Sequence, residues 1–434
     1  MKRPLPLHVK ILIGLLLGAL GGLAARATLG GDSPQLKGFL EDVAKPIGDV
    51  FLALLFMIVV PLVFSALVIG MQELGQAKRF GRVGGLSLLM TLVLSLTACA
   101  IALIGVNLVQ PGKAIPPEQG RALIAKYEDK SKVEASVSAA QKTPEDPPVL
   151  GIVPKNPFKE MDRALQGGLL PLMFFALVFG AALAGVPDDK AKPLRDFFES
   201  LFETSQRVIG FAMAIAPVAV FFLVFRSLAE LGTDLLRPLA AYVLTVLGLL
   251  ALQLYGVYSL ALLWVARRSP AQFFRQMRTT MLTAFATSSS NATLPTALKA
   301  ATDEVGLRTE VSNFVLTVGA TANQNGTALY EGVTILFLAQ LFGKDLTLGQ
   351  QAYVLGLTVV ASLGTAGIPS GSLPFIAVVL RQLGLPAESI GLILGIDRIL
   401  DMSRTVLNVT GDMTIAACVD RLTATNPSEP PVAA

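Results

Sequence analysis

Apolar runs recur along the whole chain, and several match the roughly 20 helical residues needed to cross a ~30 Å hydrocarbon layer. The clear ones cover residues 8–29, 48–71 and 83–108, then 165–186, 194–228 and 234–266. Backbone polar groups cannot stay unpaired in lipid, so such runs predict α-helices, and the ten-residue alternation of a transmembrane barrel is absent. The stretch from Pro111 to Arg163, which includes Glu128, Asp129, Lys130, Glu145 and Asp146, is too polar to enter the membrane and reads as an external loop. Residues 425–434 read as a disordered tail.

After residue 268 the pattern changes. Small and polar residues interrupt the apolar stretches at Thr287 to Thr293, at Asn323 to Thr327 and at Gly364 to Ser372. Irregular backbone at membrane depth must be buried in protein or line a cavity, and broken helices of this kind build the midplane sites of secondary transporters. The run from Ile390 to Val419 then carries Asp397, Asp401, Arg404, Asn408 and Asp412, spaced by four, three, four and four residues. At about 100° per residue these fall on one stripe of a helix that is otherwise greasy. Ionisable residues in such a helix face a bundle interior or an aqueous path and mark a substrate or ion route.

Composition narrows the class. The 434 residues are 53% hydrophobic and 15% charged, with a mean hydropathy of +0.63. That describes an all-α polytopic membrane protein and excludes a cytosolic enzyme. The net charge of +4 fits basic loops and not a nucleic-acid surface. Lys2 and Arg3, then Lys78, Arg79 and Arg82, Lys190, Lys192 and Arg195, and Arg267, Arg268, Arg275 and Arg278 lie in alternate loops, which places the N-terminus in the cytoplasm. The cysteines, Cys99 and Cys418, lie in apolar runs and read as inert buried thiols. The one histidine, His8, stands at the edge of the first span, which removes Ser-His and Cys-His catalysis and a histidine proton relay.

The motifs Ser288-Ser289-Ser290-Asn291-Ala292-Thr293-Leu294-Pro295, Gly364 to Pro369, Asp401-Met402-Ser403-Arg404-Thr405 and Asn408-Val409-Thr410-Gly411-Asp412 resemble, in that order, those of the glutamate transporter family, the dicarboxylate/amino acid:cation symporters. The resemblance implies eight transmembrane helices with two re-entrant helical hairpins, a bacterial inner-membrane location and a homotrimer. It divides the chain into scaffold helices one and two (1–82), core helix three (83–108), the external loop with scaffold helices four and five (109–233), and a transport core (234–424) that moves by an elevator-type motion.

The stripe has its own chemistry. Arg404 offers a planar fork for a carboxylate, Asp401 an acceptor for an ammonium, and Asn408 an amide for a second carboxylate, joined by backbone N–H groups around Ser290. Aspartate or glutamate satisfies that set. The opposing reading is that Asp401 and Arg404 only pair with each other as a buried bridge. The resemblance adds Thr327, Ile368, Ser372 and Thr405 to the substrate site. It also implies a sodium site at Asn408 and Asp412 completed by carbonyls near Gly319 and Asn323, and a second cation site at Thr321, Ser362, Leu363 and Thr365.

Three positions depart from the family pattern at a further, deep sodium site: Asn325 replaces an aspartate, and Thr91 and Leu94 stand where a tyrosine and a threonine are common. Gln324 replaces a methionine. Neither Ser288 nor Met402 is the arginine found at one of these two positions in family members, although Arg398 lies near. Glu331 matches a proton-carrying glutamate of animal members. The expectation is a symporter of acidic amino acids driven by sodium, protons or both, needing no cofactor beyond those transported ions. A C4-dicarboxylate symporter is the alternative, disfavoured because Asp401 would be unpaired against a ligand lacking an ammonium, and an anion-conducting channel is a more distant one.

Overall fold

A computed structural model describes residues 7–31, 33–77, 81–114, 153–163, 169–364 and 372–424. Among the described residues every regular element is helical. Helix α1 (Leu7–Leu29) is followed by α2 (Pro34–Phe39), which passes through a π-helical turn into α3 (Lys45–Phe56), and then by α4 (Val59–Ala77). The second span therefore starts well before residue 48, where the apolar run begins. Pro34 takes a first-turn position and the Ser33 side chain accepts from the Leu36 backbone N–H, so the helix nucleates ahead of the charged turn of Glu41, Asp42 and Lys45.

Next come α5 (Arg82–Val109), the short α6 (Pro157–Asp162) and α7 (Leu169–Ala184). Helix α6, capped by the Asn156 side chain, falls inside the polar stretch read as a loop; most of that stretch and the 425–434 tail lie outside the described residues. Helix α8 (Asp188–Leu231) spans 44 residues. A continuous helix follows, α9 (Leu236–Ala251) leading through π-helical turns and α10 (Tyr258–Ala261) to Ala266. Five helices among the described residues are long and apolar enough to cross a membrane: Val9–Leu29, Pro34–Gln72, Arg82–Lys113, Asp188–Glu230 and Leu236–Ala266.

The remainder is shorter and more broken: α11 (Pro270–Gln276), α12 (Arg278–Thr287), α13 (Ser290–Lys299), α14 (Thr309–Ala322), α15 (Asn325–Leu341), α16 (Leu348–Gly364), α17 (Ser372–Gln382) and α18 (Ile390–Thr423). At 34 residues α18 extends about 51 Å at ~1.5 Å per residue; its charges, not its length, set it apart from the apolar spans.

Packing differs between the two halves. Helix α1 lies against α8 along Gly14, Gly18 and Gly22, where an added Cβ would stand 2.3–2.4 Å from the carbonyl oxygens of Pro217, Phe221 and Phe225. This small-residue spacing brings the two backbones into contact, which is how apolar helices associate where lipid removes the hydrophobic drive. The Arg26 side chain seals that seam by donating to the carbonyls of Ala229 and Glu230 at the end of α8. In the second half, α18 is the central post: α14, α12 and α15 pack on it, and α5 packs on α15.

Candidate functional site

Two breaks in regular helix face α18. The first separates α12 from α13. Ser288 takes a left-handed conformation at φ 51°, and Ser289 caps α13 by accepting from the Ala292 N–H. Thr293 ties the turn by donating to the Ser289 carbonyl at 2.8 Å and meeting the Thr287 hydroxyl at 3.0 Å. The hydroxyls of Ser288 and Ser290 are buried and have no partner among the described residues. The second break, Asn323 and Gln324, divides α14 from α15. The N-terminus of α15 is satisfied from α18: Asn408 Oδ1 accepts from the Gly326 N–H at 2.7 Å. A Cβ at Gly326 would stand 2.7 Å from the Arg404 carbonyl oxygen, so this approach needs glycine.

The stripe itself is buried, with Asp397, Asp401, Arg404, Thr405, Asn408 and Asp412 all at most 4% exposed. Arg404 donates through Nε and Nη2 to Asp401 Oδ1 at 2.9 and 2.7 Å, and through Nη1 to the Ser372 hydroxyl at 2.5 Å. Its guanidinium carbon lies 4.6 Å from the centre of the Tyr330 ring, within cation–π range. Tyr330 donates in turn to Asp397 at 2.6 Å. Arg398 approaches the other oxygen of Asp401 at 3.6 Å. Asn408 Nδ2 donates to Gln324 Oε1 at 2.6 Å and to Thr327 Oγ1 at 3.2 Å. The Thr405 hydroxyl is turned to the Asp401 carbonyl at 2.8 Å.

One turn further, Asp412 Oδ1 accepts from Asn323 Nδ2 at 2.7 Å. It also comes so close to α14 that a Cβ on Gly319 would stand 2.4 Å from it. The Asn323 side-chain oxygen is buried without a partner among the described residues. A carboxylate beside an orphaned amide oxygen is a hard-oxygen pair suited to an alkali cation. Among the described residues no three His, Cys, Asp or Glu side chains gather as a metal cluster would require.

Asn325 has another environment. Its Oδ1 accepts from Ser95 at 2.6 Å, its Nδ2 donates to the Tyr258 hydroxyl at 3.3 Å, and Tyr258 donates to the Leu407 carbonyl at 3.4 Å. These neutral groups satisfy one another. Glu331 is fully buried, and both of its carboxyl oxygens lack a hydrogen-bond partner among the described residues.

Buried polar atoms in native proteins are almost always partnered. Among the described residues the exceptions include Ser288 and Ser290 at the hairpin turn, Asn323 at the helix break, and Glu331 and Arg398 Nε beside the stripe, with others at Glu230, Gln253, Thr280, Ser312 and Thr410. The model of the sodium:dicarboxylate symporter family matches residues 7–422. The chain belongs to that family. It is therefore a multi-pass membrane transporter and not an enzyme.

Relatives within the symporter family are similar over most of their length. The proton/sodium-glutamate symport protein of Bacillus caldotenax is 31% identical over 425 residues, 96% of this chain and 95% of that protein. The proton/glutamate-aspartate symporter of Escherichia coli (strain K12) is 32% identical over 411 residues, 93% and 90% of the two chains. Excitatory amino acid transporter 4 of Mus musculus is 31% identical, covering 86% of this chain and 77% of its own.

Against that family background, the expected substrate residues Ser372, Asp401 and Arg404 are in direct contact and Thr405 bonds the Asp401 carbonyl, while Thr327 and Asn408 bond each other and Gln324 as a separate cluster. Ser290 is buried at the start of α13. Ile368 and Thr365 lie outside the described residues, as does most of the stretch from Gly364 to Pro369 expected to form a second hairpin tip. Of the remaining cation candidates, Gly319 and Asn323 meet Asp412, Thr321 lies in the last turn of α14, and Ser362 and Leu363 lie in the last turn of α16. Sequence reasoning missed Tyr330, Ser95 and Tyr258. Tyr330 left one faint signal: it lies three residues after Thr327, on the same helical face.

Proposed function

We propose that the protein is a secondary active symporter that carries an acidic amino acid, aspartate or glutamate, across the membrane together with sodium, protons or both. The observation that carries this reading is the buried Asp401–Arg404 pair, set between a hairpin turn and a helix break whose polar atoms lack partners. Arg404 turns its fork from Asp401 to a ligand carboxylate, Asp401 accepts the ligand ammonium, and Asn408 exchanges Gln324 and Thr327 for the second carboxylate. The unliganded site then never holds a bare buried charge, the state that is most costly. The names of the bacterial relatives, glutamate and glutamate-aspartate symporters, support the same substrate class.

Asp412 with Asn323, Gly319 and Asn408 is the proposed sodium site. The neutral Ser95–Asn325–Tyr258 set takes the place of the deep sodium site, and Glu331 is the candidate proton carrier. Eight spans, two re-entrant hairpins, a homotrimer, a cytoplasmic N-terminus in a bacterial inner membrane and elevator-type movement of 83–108 and 234–424 against the other spans complete the proposal. The test is accumulation of labelled L-aspartate in liposomes holding the purified protein, with sodium and proton gradients imposed separately. Saturable accumulation above the external concentration under at least one gradient is expected. Flux that only equilibrates, without saturating, would favour a channel instead.

A further inference from the structure

A groove of about 460 Å³ lies between the π-helical turn ahead of α10, the bend from α11 into α12, and α18. That volume is in the range of ligand pockets, roughly 300–1,000 Å³. Its walls are apolar. Tyr255 and Phe274 meet edge to face with ring centres 5.3 Å apart, and α18 contributes Val406. From α12, Arg278, Met281, Leu282 and Phe285 line it together, and their spacing of i, i+3, i+4 and i+7 is one helical face. That face starts with a cation and continues apolar for two turns, about 10 Å at ~1.5 Å per residue. Tyr255, Leu282 and Phe285 are 58%, 60% and 40% exposed, so the groove opens outward. Its charge is one-sided, since Arg275 and Arg278 line it and no acid does. Their neighbours in the bend are engaged: Arg268 donates to the Val305 carbonyl at 2.7 Å and Gln276 to the Glu304 carbonyl at 2.5 Å. Arg275 and Arg278 make neither hydrogen bond nor ion pair among the described residues.

We propose that this groove binds a negatively charged phospholipid, its phosphate on Arg275 and Arg278 and one acyl chain along Leu282 and Phe285. An apolar slot open to a bilayer is filled by lipid tails, so the arginines decide which lipid is held. Two guanidinium forks at one end of the slot match the oxygens of a phosphodiester, and a basic pocket between membrane helices is a recognised setting for an anionic headgroup. A zwitterionic lipid offers the same phosphate but brings a second cation beside the arginines. A free phosphate uses the arginines and leaves the apolar walls unfilled. With the orientation proposed above, the lipid comes from the cytoplasmic leaflet, where anionic lipids concentrate; binding itself depends neither on that orientation nor on the substrate reading. The groove also joins the elements that carry the site. Helix α12 runs into the hairpin turn at Ser288, Val406 stands between Thr405 and Leu407, and Tyr255 lies three residues before Tyr258, whose hydroxyl accepts from Asn325. A bound lipid therefore braces three elements of the core against one another.

The experiment is native mass spectrometry of the purified full-length protein in detergent, titrated with palmitoyl-oleoyl phosphatidylglycerol or with phosphatidylcholine of the same chains, and with glycerol 3-phosphate as a soluble competitor. The native protein is expected to hold phosphatidylglycerol at least about tenfold more tightly than phosphatidylcholine. The double variant Arg275→Gln/Arg278→Gln is expected to bring that ratio to about one, whereas Arg275→Lys/Arg278→Lys keeps most of it. Arg267→Gln, in the same basic stretch but outside the groove, is expected to leave it unchanged. Leu282→Trp, which fills the chain slot, is expected to weaken both lipids together. A native protein without preference for phosphatidylglycerol overturns the proposal, a result that needs no variant to fold. So does a preference that survives the double glutamine variant, which would belong to the basic surface at large. Displacement of phosphatidylglycerol by glycerol 3-phosphate at equal concentration also overturns it, since the arginines would then bind phosphate without the chain. Failure of aspartate uptake in liposomes would touch the proposed function and leave this measurement standing.

Discussion

Two regions of comparable greasiness bury different things. Where α1 crosses α8, backbone meets backbone along Gly14, Gly18 and Gly22, while Leu16, Leu17 and Leu20 point outward at 54–66% exposure. Where α14, α15 and α18 meet, the buried surface is carboxylate, amide and guanidinium. The first seam is complete as it stands, since each glycine carries no side chain and each partner is a carbonyl already in a helix. The second is unfinished, with the Asn323 oxygen, both Glu331 oxygens and Arg398 Nε lacking partners among the described residues. A close glycine seam makes two helices one rigid body, whereas a site with orphaned polar atoms is completed only by what it binds. That contrast is what the proposed division into a fixed frame and a working core rests on.

Several substitutions break or sharpen the contrast, beginning with the largest effect. Asp401→Asn removes the negative charge proposed to hold the ligand ammonium and leaves the buried Arg404 without its counter-ion, so aspartate uptake into liposomes is expected to fall at least ~100-fold. Gly18→Leu acts on the other region. It forces the backbones of α1 and α8 apart and is expected to cost ~2 kcal/mol or more, read as a lower unfolding temperature in detergent. Asp412→Asn removes the charge beside Asn323 and is expected to weaken sodium stimulation of aspartate binding by about tenfold, with the fold intact. Glu331→Gln is expected to abolish the pH dependence of uptake while leaving its sodium-driven part unchanged; an undiminished pH dependence removes Glu331 as proton carrier. Smallest is Ser288→Gly, which relieves a left-handed serine at the hairpin turn and is expected to add about 1 kcal/mol of stability, read as a higher unfolding temperature in detergent.

Periodicity made the working core legible, because Asp397, Asp401, Arg404, Asn408 and Asp412 share one helical face whatever the fold does around them. The hairpin turn and the helix break were legible for a related reason: runs such as Thr287 to Thr293 and Asn323 to Thr327 cannot continue an apolar helix cheaply. What pairs with what was not legible. Ser95, Tyr258 and Asn325 form one neutral network from three distant helices, and nothing local in any of them announces the other two. Tyr330 reads as one more apolar core residue until its ring is seen beneath Arg404 and its hydroxyl on Asp397. The start of the second span was hidden for a different reason. Hydropathy weights the charges of Glu41, Asp42 and Lys45, whereas the helix is set by the Ser33 cap and by Pro34.

Two readings of the buried pair were open from the stripe alone, a structural bridge or a substrate clamp, and the observed contact between Asp401 and Arg404 belongs to both. They part company over Arg404→Ala. In a calorimetric titration of L-aspartate into the purified protein with sodium present, the account predicts saturable binding to the native chain and none to Arg404→Ala at ligand concentrations 100-fold above the native dissociation constant, about 2.7 kcal/mol or more of lost binding. Unchanged aspartate affinity in a folded Arg404→Ala protein would make the pair a bridge and contradict the account.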